Sequence, residues 1–512
     1  MLVANLAASP RLVDLAAARE LYRKARFSEA DALLESAEQT KQIDPDAALL
    51  RMRVLLYREP ARVLVYATEH AKALKTKSFR AETRLLQGAS YARLSDFASA
   101  ESHLKAALTL AETDPAIAAE VRYQQAAVAW MRRKLDIAWR ILDGPDIDQA
   151  PERVQVQRFV LQGAVAASRG DMVQQGAILL EALAFVQKTK NPSVLPWAVA
   201  ASQVCYLARE LYSPALRESA YAQISAVPWT KDLDPLHFTA LRAVGWCHAL
   251  EGDYFNAFRR LKDAALVAES PAWRVMSLCD RSYLARSLGE NRWAEQERND
   301  ARELASSIDW RTLDGEERFA LCLLAELFAE HDGPRAFAQI AEYHKSGKNF
   351  APILASADDR RVTALEAYSS GVVQWALGEV EEAARLLTLS YEIYSAVQYR
   401  WRAGRAALAL ANITGAAEWQ ERAGKLLSVY PRSWLVNVNG AERVEELPGV
   451  SELTAAQRTV YDLLMLGLSA SEIAQRLERS QFTVRNHVKA IFKTLNVRSR
   501  ATLLARAARG AV

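Results

Sequence analysis

One spacing recurs along most of this chain and leaves it few folds to choose from. A small residue is followed by a polar one eight positions on, then alanine at +12, leucine at +16 and alanine at +19. It reads Gly88-Asp96-Ala100-Leu104-Ala107, then Gly245-Asp253-Ala257-Leu261-Ala264 and Gly371-Glu379-Ala383-Leu387-Ser390, with weaker copies Ala18-Arg26-Ala30-Leu34-Ala37 and Gly163-Asp171-Gln175-Leu179-Ala182. Steps of three and four keep the last three positions on one helical face, and the small residue lets a second helix approach closely. The polar residue marks the turn between the two helices, as in RLSDFASA (93–100), LEGDYFNA (250–257) and LGEVEEAA (377–384). The first four copies start 70, 75 and 82 residues apart, so each interval holds two units of about 35 to 41 residues. The fold expected is all-α: roughly ten helix pairs stacked into a solenoid with a concave face. Alanine, leucine and glycine at these offsets are scaffold. The Trp and Tyr residues are expected mostly in the core, with some lining the concave groove, where amphipathic rings suit a peptide or small molecule.

The pattern stops at a cluster of turn formers, Pro431, Asn437, Asn439-Gly440 and Pro448-Gly449. This divides the chain into a repeat region (1–435), a linker (436–450) and a C-terminal module (451–512). Within the module, Thr454-x-x-Gln457 and Ser469-x-x-Glu472 are capping boxes that mark two helix starts, and Gly467-Leu468 supplies the turn before the second. A third helix is expected from Ser480, with Val484, Val488, Ile491 and Leu495 forming its buried stripe. Its opposite face presents Phe482, Arg485, Asn486, Lys489 and Lys493: apolar behind, cationic and hydrogen-bonding in front, sized to enter a DNA major groove. Arg485 and Lys489 can donate to guanine, Asn486 can pair with adenine, and Phe482 can meet a thymine methyl. Thr483, Lys493, Arg498 and Arg500 lie where phosphate contacts set register. His487 falls on the flank and is read as packing or bonding to backbone. A fourth helix, capped by Ser499, carries Ala501, Leu503, Leu504, Ala507 and Ala508.

Charge supports the same division. Residues 451–512 hold ten Lys/Arg against four Asp/Glu, whereas the remaining 450 hold 55 against 57. The basic excess sits entirely in the module, the footprint of one nucleic-acid-binding domain joined to a domain that avoids nucleic acid.

The repeat pattern resembles tetratricopeptide (TPR) structure. The module resembles the LuxR-type (NarL/FixJ-like) helix-turn-helix of bacterial transcription regulators, through Leu453-Thr454, Gly467-x-Ser469, Glu472-Ile473-Ala474, Leu477, Thr483-Val484-x-x-His487, Ile491, Leu495-x-Val497 and Arg500. This resemblance implies groove contacts at Arg485, Asn486 and Lys489, and a dimer contact on the fourth helix at Leu503 and Leu504. The chain departs from the family pattern at Gln457, at Ala470-Ser471 where an Asn-Lys pair is common, and at Thr494; the last two remove side chains near the DNA backbone. The whole resembles the C-terminal half of maltose-regulator-type activators, without their ATPase. No GxxxxGK[ST] occurs, since Gly347-Lys348 and Gly424-Lys425 lack the upstream glycine and the following hydroxyl.

Other chemistry finds little support. The sequence has no paired carboxylates, nucleophile motif or phosphate loop, so no enzyme is expected, and no cofactor or metal. Cys205, Cys247, Cys279 and Cys322 are isolated and read as buried reduced thiols. No apolar run approaches a membrane span, so a cytoplasmic protein is expected. The expected function is a transcription regulator whose solenoid senses a peptide, protein or small-molecule effector. Its expected partners are double-stranded promoter DNA, a second copy of itself on that DNA, and RNA polymerase. The alternative is a TPR-type interaction scaffold whose C-terminal module no longer binds DNA.

Overall fold

A computed structural model of the chain describes residues 14–38, 44–148, 150–310, 313, 317, 319–329, 332–345, 360–437, 449–465, 468–498 and 503. Among these residues every regular element is helical, and from Leu15 to Leu427 twenty-two α-helices follow one another. No described helix is long and apolar enough to cross a membrane.

The recurring spacing is the contact between the two helices of a pair. In Lys77–Arg93 and Phe97–Leu110, a Cβ built on Gly88 would stand 2.8 Å from the Leu104 side chain and 3.3 Å from the Ala100 carbonyl. At Gly371 the corresponding distances to Leu387 and Ala383 are 2.8 and 3.2 Å. Any side chain here would force the helices apart, while Ala100, Leu104 and Ala107 are fully buried. The turn has its own device. The residue at +7 takes left-handed backbone, even where it is Ala25 (φ 54°) or Ser95 (φ 64°), which ends the first helix. The aspartate at +8 then caps the next helix: Asp96, Asp171 and Asp253 accept from backbone amides at 3.1, 2.8 and 3.2 Å. The two copies without aspartate differ. Glu379 makes no cap bond, and Arg26 pairs with Glu29 in the first turn of its helix.

The chain separates into two compact units, Met1–Val204 with Ala222–His237, and Cys205–Tyr221 with Phe238–Val512. In the first unit, the leading helices of four successive pairs bring Arg53, Glu82, Glu120 and Arg153 together. Burial would raise the Glu120 carboxyl, but Arg153 and Arg53 hold it well below its usual range. Beside them Tyr22, Tyr57 and Gln124 line a cavity of ≈ 10 Å³, room for about one water. In the second unit the buried Glu210 carboxylate accepts from Arg402 (2.7 and 2.8 Å), Trp401 (3.0 Å) and Arg209 (2.7 Å). Glu326 accepts from Arg405 (2.7 Å) and Ser369 (2.6 Å), and the Arg405 guanidinium lies over the Tyr283 and Tyr368 rings. These side chains therefore face one another rather than an open groove. The four cysteines are free and buried, and burial pushes the Cys205 thiol up to about 12.

After the last pair the chain stays anchored. Trp434 is fully buried, 5.3 Å from Trp246 and 6.2 Å from Tyr283 by ring centroids. Leu104→Ala should destabilise the first unit by about 2–5 kcal/mol, and Ser95→Gly should stabilise it by about 1 kcal/mol by relieving left-handed backbone at a non-glycine residue. Urea unfolding of the full chain checks both; no gain from Ser95→Gly would show that the turn is not strained.

Candidate nucleic-acid interface

The C-terminal module folds as its caps direct. The Thr454 amide donates to Gln457 Oε1 at 3.0 Å and the Gln457 amide returns to Thr454 Oγ1 at 3.3 Å, opening the helix Ala455–Met465. The second box is also closed, with Ser469 N–H to Glu472 Oε2 at 2.8 Å and Glu472 N–H to Ser469 Oγ at 3.3 Å, at the start of Ala470–Arg476. Ser480 caps the third helix, Gln481–Thr494, by accepting from the Thr483 amide at 3.1 Å. Val484, Ile491 and Leu495 are buried and Val488 half-buried.

The outer face of that third helix is open. Arg485, Asn486, Lys489 and Lys493 are exposed, as is Arg498 beyond it, and Phe482 is 74% exposed, the expense of an apolar ring left in water at the helix start. Thr483 is half-buried, its hydroxyl 2.8 Å from Ser480 Oγ within the cap. His487 is half-buried on the flank. Gly467, Ser499, Arg500 and Leu504 lie outside the described residues, as does the fourth helix except for Leu503. Leu503 is fully buried in the apolar cluster of the module.

Sequence reasoning missed a second set of residues. Within the second unit, the module's core and that of the helices Tyr254–Val267, Pro271–Ser287 and Asn291–Ser306 form one continuous cluster, running from Phe258, Leu261 and Leu284 to Val460, Ile473 and Val484. Charged groups clasp its edge. Glu472 Oε1 accepts from Lys262, so one carboxylate closes a helix cap and a tertiary contact together. Burial would raise that carboxyl, but Lys262 and Ser469 hold it down to about 2. One turn along, Arg476 donates to Glu290 at 3.0 Å and lies 4.8 Å above the Trp293 ring. The only sequence signal was two opposite charges four apart on a helix, which ordinarily means a solvated face.

Residues 451–507 match the family described as "Bacterial regulatory proteins, luxR family". No curated relative matches the chain. Among solved structures, the Rap protein complexed with competence and sporulation factor is 13% identical, covering 80% of this chain and 98% of that one at a TM-score of 0.33. The APC/C heterotetramer Cut9–Hcn1 is 11% identical, covering 83% and 89% at 0.28. Naa15/Naa10 bound to HypK-THB is 14% identical, covering 94% and 75% at 0.21.

On this geometry Arg485→Ala and Lys489→Ala should each cost about 1–3 kcal/mol in specific binding and relax base preference, while Lys493→Ala should weaken all duplexes alike and lower the salt slope by about one. Footprinting and salt titration separate these effects. A double Arg485/Lys489 variant with a normal footprint would remove the groove face from this helix.

Proposed function

Because residues 451–507 form a LuxR-family helix-turn-helix, a DNA-binding module of transcription regulation, we propose that the repeat region senses an effector and controls promoter binding by that module. The observation that carries this reading is the division of labour on the module's surface. Its second helix is held against the repeat region through Glu472 and Arg476, while its third helix leaves Phe482, Arg485, Asn486 and Lys489 in solvent. A change in how the helix pairs stack is thereby felt at a DNA-reading surface. The roles assigned to those four residues as base readers, and to Thr483, Lys493, Arg498 and Arg500 as phosphate contacts, belong to this reading, as do the boundaries 1–435, 436–450 and 451–512. The effector is a peptide, protein or small molecule. The regulator acts in the cytoplasm as a homodimer on an inverted repeat, through Leu503 and Leu504, and engages RNA polymerase there.

Sequencing of DNA captured by the tagged protein in cells should return discrete promoter loci, lost in the Arg485→Ala/Lys489→Ala variant. Recovery of no loci would favour the interaction-scaffold alternative. The tether gives a second test. Trp434 and Val450 are both buried, so few residues separate the two anchored ends and the module is held at high effective concentration. Doubling its length with Gly/Ser between Asn437 and Pro448, which lies outside the described residues, should lower that concentration about threefold. The response of promoter affinity to effector should shrink accordingly; equal responses in both proteins would show that the tether does not help transmit the signal.

A further inference from the structure

In a helix-turn-helix the helix before the recognition helix crosses the DNA backbone. Here that helix, Ala470–Arg476, is poorly equipped to do so. Its first turn is Ala470, Ser471 and Glu472, which offers phosphate no cation and one carboxylate. Its one basic side chain, Arg476, is turned away, held by Glu290 and the Trp293 ring. Ser471 is also engaged, its hydroxyl accepting from Gln481 at 2.8 Å.

The missing charge stands next to it, on another part of the chain. Lys262, on the repeat-region helix Tyr254–Val267, meets the Glu472 carboxylate, yet its side chain is still 54% exposed, so the ammonium keeps donors for a second anion. Arg259 lies one turn earlier on the same face of that helix, is exposed, and forms no ion pair with any described residue. Lys262 thus cancels the one carboxylate of that helix that would repel a phosphate, and Arg259 adds a positive charge that no described residue pairs with. The docking that brings them there leaves the recognition face uncovered.

We propose that Lys262 and Arg259 are part of the DNA-binding surface: the repeat region contributes phosphate contacts beside the helix Ala470–Arg476, and the docked arrangement is the one that binds duplex DNA. The inference rests on the reading of the module as DNA-binding and extends that surface to a part of the chain with no basic excess of its own. Phosphate contacts of this kind set affinity and register without reading bases.

The test uses the full chain and a fluorescein-labelled random-sequence duplex, with affinity followed against salt. Each lost phosphate contact lowers the slope of log K against log salt by about 0.9. Arg259→Ala should lower it by about that much, and Arg259→Ala/Lys262→Ala by about twice as much, with base preference at captured promoters unchanged. Glu290→Ala tests the docking from the repeat side. It removes a negative charge, which by net charge alone would tighten binding, but it frees Arg476 and loosens the clasp; the proposal expects weaker binding and a shallower slope. Tighter binding by Glu290→Ala would mean that docking holds the module away from DNA, and an unchanged slope in the Arg259/Lys262 variant would mean that these cations do not touch it. Either overturns the inference and leaves the proposed function standing. Failure of the unaltered chain to bind any duplex would instead remove the reading on which the inference rests.

Discussion

Where Leu104 rests on Gly88, and again where Leu387 rests on Gly371, two helix backbones come closer than any Cβ would allow, and from that closeness follows the geometry of each pair. Burying one leucine stabilises by about 1.5–3 kcal/mol. Helices of 8 to 17 residues such as these are marginal alone in water, so each persists because its partner covers it. The contact also fixes register, since only one sliding position seats the leucine on the small residue and the alanines at +12 and +19 beside it. The left-handed residue at +7 and the capping aspartate at +8 then make the turn short enough for that register to be kept.

Within each unit, stacking pairs on one another brings leading helices side by side, and charge is buried between them. Glu120, Glu210 and Glu326 are each buried and each met by arginine. Such clusters add little net stability over apolar packing, but losing one partner strands a buried charge at a cost of about 3–5 kcal/mol. What they supply is selectivity in which helices meet: Glu210 and Arg402 lie 192 residues apart in sequence and are bonded directly. The aromatic rings of Trp246, Tyr283, Trp401 and Trp434 lie beside one another in the same unit, which fixes the end of the repeat region and the point from which the connection to the module departs.

The module is consequently not an appendage swinging on a linker. Its core is continuous with that of the helices it rests on, and a single carboxylate, Glu472, both closes a helix cap and holds Lys262. One face of the module is committed to the repeat region, and the other, with the basic face of the third helix, to solvent.

Much of this was legible in the sequence, because the relevant physics is local. Periodicity, caps and turn residues act within a few positions, so the helix pairs, both capping boxes, the start of the third module helix at Ser480 and its exposed basic face could all be read residue by residue. The charge imbalance between 451–512 and the rest required only counting. What tertiary structure decided involves residues distant in sequence. Glu210 with Arg402, Glu472 with Lys262 and Arg476 with Glu290 have no sequence spacing to betray them, and each looks like an ordinary solvated charge until the fold brings its partner within hydrogen-bond reach. Leu503 shows the same limit from the apolar side. Its type and period mark it as one that must be buried, but whether its own core or a second copy buries it depends on where the neighbouring helices lie, and no pattern along the chain contains that.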